Sequence, residues 1–245
     1  MASSLGHGRE LDTTGYGWTW DDLPAPDAGP LDLRTFFAFP QPDADPPRPL
    51  ELEIGSGKGT FGVSYGEANP GVDLLGIEYA RAFWRYAADR VRRHAMPNVR
   101  MLYAEASSFL KLYVPEASLR QVHIYFPDPW PKKRHHKRRF VCEANLRLLH
   151  RLLEAGADGS GGTGQTSDSP PGQVRIATDH ADYFTWMEEA ATACADVFER
   201  RDFDPPGSGE AGELVGTNFE RKYRRAGRSF YGMILVRKES HRDSF

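Results

Sequence analysis

Cysteine is scarce. Cys142 and Cys194 stand far apart and form no CxxC pair. That excludes a disulfide framework and a zinc-finger type of site, and it makes a reducing, cytoplasmic setting the expectation. Long apolar runs are missing too. Nothing approaches the ~20 consecutive apolar residues that cross a bilayer, so no membrane partner is expected. The first residues, MASSLGHGRELDTTGYGW, lack the apolar centre of a secretion signal. Net charge is only −3, which by itself speaks against a polyanion partner. No internal repeat is visible. With 40% hydrophobic and 27% charged residues, the chain has the composition of an ordinary soluble globular protein.

What is present from residue 50 onward is an alternation of strands and helices. Leu50–Ile54, Asp73–Ile77, Val99–Tyr103, Gln121–Phe126, Gln173–Ala177, Val197–Phe203 and Phe230–Val236 read as seven strands. Thr60–Ala68, Ala80–His94, Glu105–Tyr113, Phe140–Glu154, Ala181–Cys194 and Thr217–Arg225 read as the intervening helices. Such alternation predicts an α/β fold, a Rossmann-like, mostly parallel sheet with helices on both faces. Residues 1–49, rich in Pro, Gly and Asp, read as a partly flexible extension without a stable core. Phe36, Phe37 and Phe39 are expected to dock it, and Trp18 and Trp20 to pack. The domain is expected over 50–238, followed by a tail at 239–245. A Gly/Ser-rich stretch at 156–172 is expected as a flexible loop.

Ligands in such sheets lie beyond the carboxyl ends of the strands. Five acids fall there: Glu53, Glu78, Glu105, Asp128 and Asp179. The loop Gly55-Ser56-Gly57-Lys58-Gly59 follows the first of these strands. It is not a P-loop, because no Gly-Lys-Ser/Thr follows a four-residue gap. It is not the GxGxxG dinucleotide fingerprint either, since Thr60 holds the third position. Glu53 beside it repels a phosphate and attracts a cation. S-adenosylmethionine carries a sulfonium and an ammonium and no phosphate, so an acidic rim suits it. Glu78, 19 residues past Gly59, stands where ribose hydroxyls are held. Glu105 is a candidate for the adenine amino group.

The most unusual stretch is Phe126–Arg139, FPDPWPKKRHHKRR. Prolines on both sides stiffen the backbone around Asp128. Trp130 offers a ring for stacking. Lys132, Lys133, Arg134, Lys137, Arg138 and Arg139 put six fixed positive charges into eight residues, a polyanion footprint. Further positive clusters lie at Arg81–Arg93 and Arg221–Arg228. Charge is thus unevenly distributed, and the small net value conceals it.

Taken in order, Glu53–Gly59 (ExGxGxG), Gly76–Glu78 (GIE), the FPDPW block with its basic arm, Ala177–Asp179 (ATD) and Thr217–Glu220 (TNFE) resemble the tRNA (guanine-N7)-methyltransferases of the bacterial single-chain kind. The resemblance implies methyl transfer from S-adenosylmethionine, leaving S-adenosylhomocysteine, to N7 of the variable-loop guanosine at tRNA position 46. No metal is implied. It further implies that Glu53, Gly55, Gly57, Gly59, Glu78, Glu105 and Asp128 form the cofactor site, with Asp128 also the catalytic acid. Lys132, Asp179, Thr217, Asn218, Phe219 and Glu220 would meet the RNA or its target base. The family would normally show Asp or Asn where this chain has Glu105. A monomer and a homodimer are both compatible with the sequence. Two other readings stay open: a methyltransferase of this fold acting on another RNA, and a non-catalytic RNA-binding protein of the same fold.

Overall fold

The computed structural model describes residues 10–37, 48–156, 170–206, 215–217, 220–221, 227 and 229–238. Among these, strands and helices alternate as expected from β2 to β7, and most of the helix expected at Thr217–Arg225 lies outside the described residues. β1 (Gly17–Thr19) is followed by β2 (Leu50–Ile54), α1 (Thr60–Ala68), β3 (Asp73–Glu78) and α2 (Arg81–Arg93). Then come β4 (Val99–Tyr103), α3 (Ala106–Leu112), β5 (Gln121–Tyr125), α4 (Glu143–Leu152), β6 (Gln173–Thr178), α5 (Ala181–Ala193), β7 (Phe198–Asp202) and β8 (Tyr231–Arg237).

The strands form one sheet in the order β1-β4-β3-β2-β5-β6-β8-β7. β1 through β6 pair in parallel, and β8 runs antiparallel to both β6 and β7. The strand order reverses between β2 and β5, which places the switch point there. Both faces are covered, so the parallel strands are almost continuously buried. On one face Leu52, Ile77, Val122, Ile124 and Ile176 pack with Phe109 of α3, Leu146, Leu149 and Leu152 of α4, and Met187 of α5. On the other, Leu74, Val99 and Met101 pack with Phe61 and Tyr65 of α1 and Trp84, Ala87 and Val91 of α2. No helix among the described residues is long and apolar enough to cross a membrane.

The sheet has eight strands rather than seven, and the extra one comes from the N-terminal stretch expected to lack a core. β1 joins the edge beside β4, in register Gly17↔Met101. A glycine is required at that point, because a Cβ on Gly17 would lie 2.9 Å from the Ala88 Cβ and 3.0 Å from the Trp84 ring. Leu33, Phe36 and Phe37 are buried in the core, and Trp18 and Trp20 meet Phe36 and Tyr113 edge-on. Phe39 lies outside the described residues, as do 157–169 of the Gly/Ser-rich stretch and the tail 239–245. Scattered apolar residues without a repeating period hid this edge, since three paired residues are too few to show alternation.

Candidate active site at the carboxyl edge of the sheet

β2 ends in a left-handed turn. Gly55, Gly57 and Gly59 have φ of 80°, 55° and 68°. A side chain at Gly59 would also meet the next helix, with its Cβ 3.1 Å from the Ala87 Cα. We expect Gly59→Ala to lower stability by about 1–3 kcal/mol, through backbone strain and this contact, as read by chemical denaturation. The turn folds back on β3. Gly55 and Ser56 donate N–H bonds to the Ile77 carbonyl at 2.8 and 3.1 Å. Gly57 donates to the Glu78 carboxylate at 2.7 Å. The amide that a phosphate cradle would present is therefore occupied by a carboxylate. The loop is built for something other than a phosphate.

Glu78 also accepts from the Ala80 amide at 2.7 Å. Burial raises its pKa, the Ala80 and Gly57 amides oppose the shift, and the charge of Asp128 adds to it. Glu53 is 4% exposed, and its Oε2 has no hydrogen-bond partner among the described residues. Burial, reinforced by the charge of Glu78, pushes its carboxyl up to about 8. Glu53 and Glu78 thus repel each other within one acidic group that the Asp128 charge joins, and no cation is among the causes that shift the two glutamates. An orphaned carboxyl inside such a group fits a positively charged ligand, and the acidic half of an S-adenosylmethionine site has this chemistry.

Asp128 is exposed on the loop after β5. Phe126 and Trp130, on either side of it, adopt positive φ of 52° and 42°, a region that non-glycine residues seldom occupy. Such strain persists only where neighbours hold it. Phe126 donates its N–H to Ala177 of β6 at 2.8 Å. Arg139 donates from Nε to the Pro129 carbonyl at 2.8 Å, and its guanidinium lies over the rings of Tyr183 and Trp186 at 4.8 and 5.1 Å. Arg139 is 5% exposed. It is a clamp on the loop and not part of the exposed basic arm to which its charge assigned it. Lys132, Lys133, Arg134, Lys137 and Arg138 remain exposed. Trp130 is half-buried, with Arg138 over its ring at 4.9 Å and His135 at its edge. One face of this ring already carries a cation, so the open stacking platform expected for a base is reduced.

The other expected site residues divide. Glu105 caps α3, accepting from the Ser107 and Ser108 amides at 3.0 and 2.8 Å and the Ser108 hydroxyl at 2.7 Å. Burial pushes its carboxyl up, but these bonds outweigh burial and hold it below the usual range. Asp179 is half-buried just past β6, on the same edge. Thr217 and Glu220 are buried. The Thr217 hydroxyl accepts from the Glu220 amide at 3.0 Å, and the Glu220 carboxylate accepts from the Val215 and Gly216 amides at 2.9 and 3.0 Å. This is half of the capping box that T-x-x-E signals: the Thr217 hydroxyl takes the amide three residues on, but the Glu220 carboxylate reaches back past Thr217 to the two amides before it. Both side chains shape the turn. Asn218 and Phe219 lie outside the described residues, as do 222–226 of the third basic cluster.

One residue escaped sequence reasoning. Tyr79 is 71% exposed, directly after Glu78. An aromatic between the carboxylate that ends β3 and the start of α2, one strand from the switch point, was its available signal.

Residues 47–160 match the model of a family described as putative methyltransferase. The tRNA (guanine-N(7)-)-methyltransferase of Alkalilimnicola ehrlichii is 33% identical over 91% of this chain and 84% of its own length. The chain belongs to the tRNA (guanine-N7)-methyltransferase family. The Halorhodospira halophila enzyme of the same name is also 33% identical, over 89% of this chain and 84% of its own length. The Thermus thermophilus member is 32% identical over 77% of this chain, which spans 54% of that relative.

Proposed function

We propose that this chain transfers the methyl group of S-adenosylmethionine to N7 of a guanosine in tRNA, at variable-loop position 46, in the cytoplasm. The observation that carries this reading is the placement of Asp128 on a strained, clamped loop, beside Glu78 and immediately before an exposed basic arm. When bound, S-adenosylmethionine supplies an electrophilic methyl on a sulfonium. Glu78 accepts from the ribose hydroxyls, Glu53 faces the cationic half, and Tyr79 covers the adenine. Gly55, Gly57 and Gly59 let the backbone approach. Glu105 has a second role as a helix cap and contributes least.

Guanine N7 has a lone pair and no proton, so the site needs no general base for the nucleophile. Alignment supplies much of the rate. As the purine gains positive charge, the Asp128 carboxylate, with Asp179 across the edge, stabilises it and accepts from the N1–H and N2–H₂ side of the base. The base must leave its stack to arrive there. Asn218 and Phe219 are the candidates to receive it.

Lys132 and its exposed neighbours hold phosphates. Lys58, Arg81, Arg85 and Arg90 extend the positive edge along α2. No carboxylate pairs with them among the described residues, whereas Arg92 and Arg93 are neutralised by Asp89. Lys132→Ala and Arg81→Ala should each weaken tRNA binding and reduce the slope of log K against log salt by about 1. Slopes matching the wild type in both variants would remove these residues from the RNA path.

The reaction itself is tested with the purified protein, labelled S-adenosylmethionine and an unmodified tRNA transcript digested to nucleosides. Label in 7-methylguanosine, abolished by 7-deazaguanosine at position 46, is the expected outcome. Label in another nucleoside would move the substrate. Binding without label would make this a non-catalytic RNA-binding protein.

A further inference from the structure

At the opposite end of the sheet, where the strands begin, a cavity of about 300 Å³ opens between α1 and the segment after β7. Its lining includes Tyr65, Arg120, Gln121, Gln173, Arg175 and Asp204, with prolines completing the wall. The methyl-transfer reaction uses none of these residues.

The charges here do not balance in the way that buried charges usually do. Arg120 is matched: its Nε donates to Glu51 Oε1 at 2.8 Å, and its Nη2 reaches the same oxygen. Glu51 is fully buried. Burial raises its carboxyl, but His123 and Arg120 outweigh this and hold it at about 2, so it stays ionised. His123, Tyr125 and Gln121 are tied into the same network: His123 to Glu51 and to the Tyr125 hydroxyl, both at 2.8 Å, and Gln121 to Glu51 at 3.2 Å. Arg175 is the exception. It is 6% exposed, and its Nε and Nη2 have no hydrogen-bond partner among the described residues. The Phe203 ring lies 5.5 Å from its guanidinium, and among the described residues no carboxylate forms an ion pair with it. Nε and Nη2 are the two donors that share one edge of a guanidinium, the edge that takes two oxygens of a carboxylate or phosphate in parallel bonds. A buried cation is ordinarily paired and hydrogen-bonded; Arg175 interacts with the Tyr125 hydroxyl, but this edge of its guanidinium is left without a partner among the described residues.

We propose that this cavity is a binding site for a small oxyanion, a phosphate or carboxylate group, with Arg175 as its principal ligand. Gln173 and Tyr65 line the same cavity and bring polar atoms to the anion, Gln121 being held by Glu51 and Gln173, and Phe203 covers the guanidinium. Asp204 works against anion binding and limits its strength. The site lies away from the acidic edge, so the anion is distinct from both methyl donor and acceptor.

The test uses the full-length protein at constant ionic strength in chloride, titrated separately with inorganic phosphate and with acetate. Thermal melting and isothermal titration calorimetry report binding. Saturable stabilisation by at least one anion is expected, with affinity reduced at least tenfold in Arg175→Met and increased severalfold in Asp204→Asn. Which of the two titrants saturates identifies the group the site takes. If Arg175→Met fails to fold, the Asp204→Asn change alone decides, because that residue is exposed and its loss removes only the opposing charge. Unsaturable effects with both anions overturn the proposal. So does a saturable effect that neither substitution alters, since that anion is bound elsewhere, for instance on the basic arm. Neither result depends on methylation, so the catalytic reading stands or falls separately.

Discussion

Replacing Glu53 by Gln is expected to spare the ligand-free protein a loss of stability that the wild type suffers as pH rises, while weakening its hold on S-adenosylmethionine. The folded state raises this carboxyl to about 8 from an ordinary 4.5. Between those values the folded chain keeps a proton that the unfolded chain has released. Stability attributable to Glu53 is therefore intact below pH 4.5 and is lost as pH climbs to 8, by about 1.4 kcal/mol per unit and in all by about 4–5 kcal/mol. Glutamine has no such loss. Its buried amide carries its own desolvation cost of about 1–3 kcal/mol, but that cost does not vary with pH. The difference in unfolding free energy between Glu53→Gln and wild type should therefore widen from pH 5 to pH 8, and a constant difference would refute the assignment. The same carboxyl should ionise when a cation is brought beside it. Cofactor binding near pH 7 should then release up to about one proton, seen by calorimetry in two buffers of different ionisation enthalpy, and the variant should release none. The acid that costs the empty fold most is the one the cation most needs. This is the usual relation between a functional site and stability.

The parts of the fold legible in the sequence were those with a strong period. Leu146, Leu149 and Leu152 mark α4 at helical spacing, and all three are buried. Gln121–Tyr125 is a short run between turn signals, and it lies near the sheet's centre. β1 was not legible, because a three-residue edge strand has no period to detect and depends on a glycine whose necessity lies in Trp84 and Ala88, far along the chain. In the site, the glycine spacing and the acids at strand ends gave positions correctly, since both follow from chain order in a parallel sheet. Partner choice was not legible. Arg139 and Arg138 are neighbours in one basic run, yet the first is buried over Tyr183 and Trp186 and the second is exposed over Trp130. Glu220 reads as one more acid, but its backbone partners lie four and five residues upstream. Composition assigns a charge, and packing decides whether water or a ring meets it. Arg175 makes the same point inside a strand, where its neighbours in sequence, Val174 and Ile176, are core residues.

That difference within the basic run leads to the second large effect. Asp128→Asn should cut turnover by about 10²–10³, the scale for removing one preorganised charge from a developing one. Asp128 is exposed and caps no helix among the described residues, so stability should change little. Arg139→Ala should produce a similar loss of turnover by another route. It removes the bond to the Pro129 carbonyl and the support of two rings, and without them the strained backbone at Phe126 and Trp130 can relax and carry Asp128 away from Glu78. Here the loss should come with about 2–4 kcal/mol of destabilisation, and with no change in the salt dependence of tRNA binding, because a buried guanidinium meets no phosphate. Lysine should not rescue it, since an ammonium lacks the planar surface that stacks on Tyr183 and Trp186. The pair is separated by three measurements on each variant: denaturation, single-turnover methyl transfer and the salt slope. If Arg139→Ala keeps wild-type turnover and flattens the salt slope, Arg139 belongs to the RNA-binding arm after all, and the clamp is an incidental contact. If both variants lose turnover and only Arg139→Ala loses stability, the loop's geometry is itself a catalytic requirement, held from behind by an arginine that never touches the RNA.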